Sequence, residues 1–207
     1  MLTGFTASLL LITISELGDK TFFISLCLAM RYPRRWVFVG SIVALAAMTI
    51  LSVGLGQLVA LLPKQVTHYA AIGLFLLFGF KLLYDASQMT SMAPSAEAEK
   101  EAVEAIAEAE TKLKKAAPFA IMAEACVLVF LAEWGDRTQF ATIALAAANN
   151  PIAVTIGAIL GHAICALIAV IGGRLIAGRL SERVVTALGG VLFLIFAIVA
   201  WFEPVSS

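Results

Sequence analysis

Six long apolar segments dominate this chain of 207 residues and leave few folds open to it. A helix needs about 20 apolar residues to cross a hydrocarbon core of about 30 Å, and each segment is close to that length or longer. Hydrophobic residues make up 61% of the chain and charged residues only 14%, a composition typical of membrane proteins that excludes a soluble domain. We predict an all-α integral membrane protein with spans near 2–30, 36–61, 67–85, 118–148, 151–177 and 184–202.

Basic residues lie almost entirely in alternate connections between these segments. Eleven Lys and Arg residues flank or occupy the first, third and fifth connections, whereas the second contains only Lys64 and the fourth contains none. The positive-inside rule therefore predicts that the odd connections are cytoplasmic and that both termini lie outside. The longest connection, 86–117, is expected to be a charged, partly helical cytoplasmic tether.

A six-residue sequence recurs in the first and fourth segments, as Glu16-Leu17-Gly18-Asp19-Lys20-Thr21 and as Glu133-Trp134-Gly135-Asp136-Arg137-Thr138. The copies are 117 residues apart, and the same offset aligns several other glycine and phenylalanine residues without a gap. The chain thus divides into repeats 1–85 and 118–207, each with three predicted helices. An odd number of helices, repeated, enters the membrane in opposite orientations, as in secondary transporters whose substrate sites lie near the midplane between inverted repeats.

Carboxylates at the centre of an apolar span are costly and indicate a functional site by default. Glu and Asp at i and i+3 of a helix share one face, so the two motifs are predicted to bring four acids together. These are Glu16, Asp19, Glu133 and Asp136. Hard oxygen ligands of this kind suit Ca²⁺ or Mn²⁺. The long spans are expected to bend or break at the motif glycines, which would free backbone carbonyls as further ligands.

Two basic residues accompany the four acids. With Lys20 and Arg137 counted, the site retains two formal negative charges, the complement of one divalent cation or two protons. We therefore hypothesise that the site exchanges the two. The alternative is that each base only neutralises the glutamate four residues before it in a structural ion pair.

Further side chains are candidates for supporting or coupling roles: Lys20, Thr21, Arg137, Thr138, Gln139, Met48 and Cys165. Met48 and Cys165 are equivalent in the repeat, and sulfur ligands would favour Mn²⁺ over Ca²⁺, although ordinary core packing is the alternative. His162 precedes Cys165 by three residues and could join it, or could be a packed histidine. Glu124 belongs either to the membrane interface or to a cytoplasmic antechamber for cations. The three scattered cysteines argue against a disulfide framework.

The two motifs together resemble the signature E-x-G-D-[KR]-[ST] of the Ca²⁺/Mn²⁺:H⁺ antiporters found in Golgi membranes, chloroplasts and bacteria. The resemblance covers nearly the whole chain and implies cation export driven by counter-ion entry, with the four motif acids as binding residues. The cation is then a transported substrate and not a cofactor, and the protein is not an enzyme. A bacterial inner membrane, a lipid environment without nucleic-acid partners, and Mn²⁺ export are the corresponding expectations.

Two other functions remain as alternatives. An exporter of small organic solutes would surround the polar groups with an apolar or aromatic pocket. An intramembrane aspartyl protease could use Asp19 and Asp136 as its dyad, although the chain lacks the Pro-Ala-Leu element of that class. The metal preference, coupling to H⁺ or Na⁺, and formation of a homodimer stay open at this stage.

Overall fold

A computed structural model describes residues 2–89, 100–107, 117–176 and 181–202. The regular elements in these ranges are α-helices. We number them α1 (Leu2–Glu16), α2 (Lys20–Arg31), α3 (Arg34–Val59), α4 (Lys64–Gln88), α5 (100–107), α6 (Pro118–Glu133), α7 (Arg137–Ala148), α8 (Pro151–Ile176) and α9 (Glu182–Phe202). The rest of the predicted linker, 90–99 and 108–116, lies outside the described residues.

Four of these helices, α3, α4, α8 and α9, are long and apolar enough to cross a membrane. A fifth candidate span consists of α6 and α7, which meet at an angle of 76°. The N-terminal helix α1 is apolar but too short to be counted as a span by itself. The predicted six spans are reached only if α1 and α2 together form one broken span. The protein is therefore all-helical with four or five membrane-capable helices by length and composition.

The sequence repeat is also a structural repeat. Helices α1, α2 and α3 begin and end within one residue of the positions that the offset of 117 assigns to α6, α7 and α8. Equivalent helices pack in equivalent ways, because α1 lies against α8 as α6 lies against α3, and α2 lies against α8 as α7 lies against α3. The two motifs occupy the short breaks between α1 and α2 and between α6 and α7.

Glycines set the close approach of the two equivalent pairs. A side chain at Gly157 of α8 would overlap the Phe5 carbonyl and the Ser8 side chain of α1, and one at Gly40 of α3 would overlap the Met122 carbonyl of α6. These backbones therefore touch directly, as small residues allow in membrane helices. Gly40 and Gly157 are themselves related by the repeat. The helix that precedes each motif break, α1 or α6, is therefore held by the same kind of glycine contact.

The third helices of the two repeats, α4 and α9, form an antiparallel pair. The Phe75 and Phe193 rings lie 6.0 Å apart and tilted, and Tyr69 near the start of α4 contacts Trp201 near the end of α9. Helix α4 also packs on α7, and α9 packs on α1. The equivalent contacts of α4 with α6 and of α9 with α2 are not comparably formed among the described residues.

The predicted linker contains a helix that is packed against the helical bundle. Ala102 and Ile106 of α5 are fully buried and belong to the same apolar cluster as Phe23 of α2 and Ala125 of α6. The expectation of a partly helical connection is therefore confirmed for 100–107. The charged side chains of this helix are exposed, and Ala102 and Ile106 attach its other face to the bundle.

Candidate functional site

Both motifs break their helices at the glycine. Gly18 and Gly135 have φ of +82° and +80°, a left-handed conformation that glycine adopts without a steric cost. The break predicted from the sequence is thus confirmed. The predicted i, i+3 arrangement of the two acids on one helical face is wrong, however. Each glutamate ends one helix and each aspartate is the N-cap of the next, so the two acids of a motif do not lie on a continuous helix.

Carboxylates from both motifs meet between these breaks. Glu16, Asp19 and Asp136 each have an oxygen within 4.8 Å of the others, an arrangement that could hold a metal ion. Glu133 is outside this triad but lies within electrostatic reach of Glu16. The two glutamates are each only 2% exposed. The turn at each glycine, and not an i, i+3 helical spacing, brings these acids to one place.

Several oxygens of the site have no hydrogen-bond partner among the described residues. These atoms are Glu16 Oε1, Asp19 Oδ2 and Glu133 Oε1. Buried polar atoms are normally satisfied, so three unpartnered oxygens at one place call for an explanation such as a missing ion or proton. Their chemistry, hard and anionic, suits a divalent cation such as Ca²⁺ or Mn²⁺.

The two motif threonines bond to different acids. Thr21 Oγ1 donates a hydrogen bond to Glu16 Oε2 at 3.1 Å. Thr138 Oγ1 donates its one hydrogen to the nearer acceptor, Asp136 Oδ2 at 3.1 Å, and lies 3.5 Å from Glu133 Oε2. The Thr138 amide donates to the same Asp136 oxygen at 3.3 Å. Glu16 thus uses one oxygen on Thr21 and leaves the other free.

Arg137 connects the two motifs. Its Nη2 lies 3.8 Å from Asp19 Oδ1 and donates to the Ser15 carbonyl at 3.3 Å. The structural-pair alternative, in which the base neutralises Glu133 four residues earlier, does not describe this arrangement, because the break removes the helical i, i+4 relation. Lys20, the equivalent base, is half-buried and forms no ion pair within 4.0 Å in the described ranges.

The remaining candidates lie around the acids and are largely occupied by other bonds. Gln139 Oε1 accepts a hydrogen bond from the Gly135 amide at 2.8 Å, and its Nε2 lies 3.5 Å from Met48 Sδ. Cys165 Sγ donates to the Thr13 carbonyl at 3.2 Å. Glu124 is partly buried in the second turn of α6, outside the carboxylate triad.

A cavity of about 90 Å³ adjoins the first break. It is lined by Asp19 and Arg137 on one side and by residues of α4 and α9 on the other, among them Asp85, Thr186 and Gly189. The sequence reasoning did not single out Asp85, although an acid at the end of an otherwise apolar span was the available signal. Ser15, also missed, is 4% exposed and lines this cavity with an unpartnered hydroxyl.

Comparison with known proteins gives a consistent result. The chain is 58% identical over 207 residues to the GDT1-like protein sll0615 of Synechocystis sp., with both chains covered completely. It is 44% identical to GDT1-like protein 2, chloroplastic, of Oryza sativa subsp. japonica, covering 97% of this chain and 61% of the rice protein. It is also 42% identical to Protein PAM71-homolog, chloroplastic, of Arabidopsis thaliana, covering 97% of this chain and 59% of that protein. No solved structure matches the chain.

A family model described as divalent cation/proton antiporter GDT1 matches residues 4–90 and again 121–207. These two ranges are related by the same offset of 117 residues that relates the motifs, so the family model matches each repeat separately. The family is one of membrane transporters and not a class of enzymes. The resemblance carried by the two E-x-G-D-[KR]-[ST] motifs is therefore confirmed, and the chain belongs to the GDT1 family of divalent cation/proton antiporters.

Proposed function

We propose that this protein exports Mn²⁺ and/or Ca²⁺ in exchange for protons, through the site formed by Glu16, Asp19, Glu133 and Asp136. The observation that carries the proposal is the set of buried, unpartnered carboxylate oxygens contributed by both motifs. With the bases counted, two negative charges remain, so one divalent cation or two protons neutralise the site. Crowded carboxylates cannot all stay charged in a low dielectric, so protons compete with metal for the same oxygens.

The proposal includes an inverted repeat with six spans, in which α1 with α2, and α6 with α7, form the broken spans. It is supported by the directions of the helices. Helix α8 runs parallel to α1, since Gly157 contacts Ser8 and Gly161 contacts Leu9. Helix α7 runs antiparallel to α1, since Gly4 lies near Asn149 at one end and Ser15 bonds to Arg137 at the other.

Helix α3 completes this argument. It runs parallel to α7, since Met48 contacts Gln139 and Gln57 bonds to the Ala146 carbonyl further along both helices. It follows that the equivalent helices α3 and α8 have opposite directions, which an inverted repeat requires. The basic residues of the odd connections then give cytoplasmic loops and outside termini, and the full-length cyanobacterial relative is consistent with a bacterial inner membrane.

Access to the site is proposed to be from the cytoplasm in this conformation. The cavity beside Asp19 and Arg137 lies between the end of α4 and the start of α9, next to the basic third and fifth connections. At the opposite end, a cavity of about 160 Å³ also lies between α1, α4, α7 and α9, but none of the four acids lines it. Moving the α4–α9 pair to close the first end and open the second would expose the same acids outside, so the cation could leave and protons could enter.

Flux measurements in proteoliposomes test the proposal. Purified protein is reconstituted, and Mn²⁺ uptake, Ca²⁺ uptake and internal pH are followed together for the parent, Glu16→Gln and Glu133→Gln. We expect both substitutions to reduce cation flux by about 100-fold or more, because a lost charged ligand costs several kcal/mol. Glu104→Gln is the control, since Glu104 is an exposed acid of α5 paired with Lys100 at 3.9 Å.

Two results would contradict separate parts of the proposal. Retained cation flux in both glutamate variants would contradict the assignment of the site. Cation flux by the parent that neither changes internal pH nor responds to a pH gradient would contradict proton coupling but not the assignment of the site. The protease alternative has no support, because the family is a transporter family.

A further inference from the structure

A second, much smaller cavity adjoins the carboxylate cluster on the side of α8. Its volume of about 10 Å³ is close to the space of one water or ion. Glu16, Thr21, His162 and Cys165 are among the residues that line it. A carboxylate, an imidazole and a thiol thus border one small cavity next to the proposed transport site.

Two unpartnered polar atoms belong to residues that line this cavity. His162 is 5% exposed and its Nδ1 has no hydrogen-bond partner in the described residues. Glu16 Oε1 is buried and unpartnered in the same way. Because burying a polar group without a partner is costly, two such groups at one cavity indicate a ligand that both could bind.

His162 is a polar residue of this cavity whose equivalent in the other repeat is apolar. The offset of 117 relates it to Leu45 of α3, which lines the same cavity with an apolar side chain. The same offset relates Cys165 to Met48, whose sulfur contacts Gln139. Since the Cys165 thiol donates to the Thr13 carbonyl, His162 is the residue with a nitrogen donor left available.

We propose that His162 is a nitrogen ligand on the Glu16 side of the transport site and makes the site prefer a first-row transition-metal ion, Mn²⁺, over Ca²⁺. This inference rests on the proposed function and names its substrate more closely. An imidazole nitrogen binds first-row transition ions, Mn²⁺ more weakly than the later ions of the series, whereas Ca²⁺ is bound by oxygen ligands. His162 does not belong to the group formed by Glu16, Asp19 and Asp136, whose oxygens lie within 4.8 Å of one another. It would therefore bind a cation that is also held by Glu16 Oε1, the unpartnered oxygen of that residue.

The test compares the parent with His162→Leu, which places in α8 the residue that the chain itself has at Leu45. Mn²⁺ and Ca²⁺ uptake are measured over a concentration range in proteoliposomes. We expect the KM for Mn²⁺ to rise by about tenfold or more, as metal sites lose 10–100-fold in affinity with lesser changes, while the KM for Ca²⁺ changes less than about twofold. Ser25→Ala is the matched control in the same cavity, because the Ser25 hydroxyl is paired with that of Ser41 at 2.9 Å, and it should change neither KM.

A spectroscopic measurement separates a ligand from a packing residue. Mn²⁺ bound to the purified parent should show magnetic coupling to one ¹⁴N nucleus in pulsed electron paramagnetic resonance, and His162→Leu should lose it. If His162→Leu does not yield folded protein, His162→Asn provides the same comparison with a polar side chain that lacks the imidazole.

The outcomes distinguish this inference from the proposed function. If the parent transports both cations and His162→Leu leaves their KM ratio unchanged, or if the parent shows no nitrogen coupling, the role of His162 is wrong and the carboxylate site stands. If the parent transports neither cation, the proposed function itself fails.

Discussion

The two copies of the motif have nearly the same sequence but are held in different ways. In the second copy, the aspartate caps its helix, accepting from the amide and the hydroxyl of Thr138, and Gln139 accepts from the Gly135 amide. In the first copy, Asp19 has no side-chain capping bond, and Phe22 occupies the position of Gln139. Asp19 instead lies 3.8 Å from Arg137, which belongs to the other copy.

This difference indicates that Asp136 is fixed by bonds within its own motif, whereas Asp19 depends on the second motif through Arg137. Asp19 also borders the cavity of about 90 Å³ and has an unpartnered oxygen. In the proposed exchange, the first motif is therefore the part that rearranges when a cation arrives, and Arg137 is the group that the cation must displace from Asp19. Both motifs contribute ligands in this proposal, but only the first motif needs to move.

The sharpest test of this asymmetry replaces each base in turn. Arg137→Gln should lower exchange by about tenfold or more, because hydrogen bonds to charged groups contribute about 1.5–3 kcal/mol and both the Asp19 and Ser15 contacts are lost. Lys20→Gln should change exchange less than about threefold, since an exposed or half-exposed charge contributes little. Initial rates of cation-driven proton release in proteoliposomes measure both, and equal losses would mean that the two motifs are held alike.

Arg137→Lys sharpens the same comparison. Lysine keeps the charge but has a shorter side chain with a single ammonium group in place of the guanidinium whose Nη2 contacts both Asp19 and the Ser15 carbonyl, so an intermediate rate is expected. A rate as low as that of Arg137→Gln would show that geometry matters more than charge.

The motif glycines are where the two copies should behave alike. Gly18→Ala and Gly135→Ala each force a left-handed conformation on alanine, which costs about 1–2 kcal/mol. Thermal unfolding in detergent should show a lower apparent Tm for both. Gly54→Ala is the control, because Gly54 lies within α3 with open space around it and alanine is favoured there by about 0.5–1 kcal/mol. A loss in only one motif variant would mean that the breaks are not equivalent.

Gln139 carries the smallest expected effect. Gln139→Leu removes the acceptor of the Gly135 amide and should destabilise the second break by about 1 kcal/mol, with transport within about threefold of the parent. Gln57→Leu is a comparison for transport, because it removes a hydrogen bond to the Ala146 carbonyl of α7 away from both motifs and should lower Tm similarly without changing transport. A Tm of Gln139→Leu equal to that of the parent would contradict a role of Gln139 in fixing the second motif.

Local chemistry explains which parts of the structure the sequence could predict. Apolar length predicted the helices, and a glycine within an overlong span predicted both breaks, because these depend on neighbouring residues only. The predicted convergence through an i, i+3 face was wrong in its geometry, since a chain that leaves its helix at Gly18 or Gly135 no longer has that periodicity. The packing of Ala102 and Ile106 of α5 against the bundle was missed, because two apolar residues in a charged stretch acquire a partner only in three dimensions.

The sequence by itself determined the family, the repeat and the set of acids, because each is written in residue identity and spacing. Only the tertiary structure decided that Arg137 faces Asp19 across the repeat, that Asp85 borders a cavity beside it, and that His162 and Glu16 line the same small cavity. These arrangements bring together residues up to 146 positions apart, as His162 and Glu16 are. Distances over that range are set by how helices pack and in which direction they run, which no local pattern specifies.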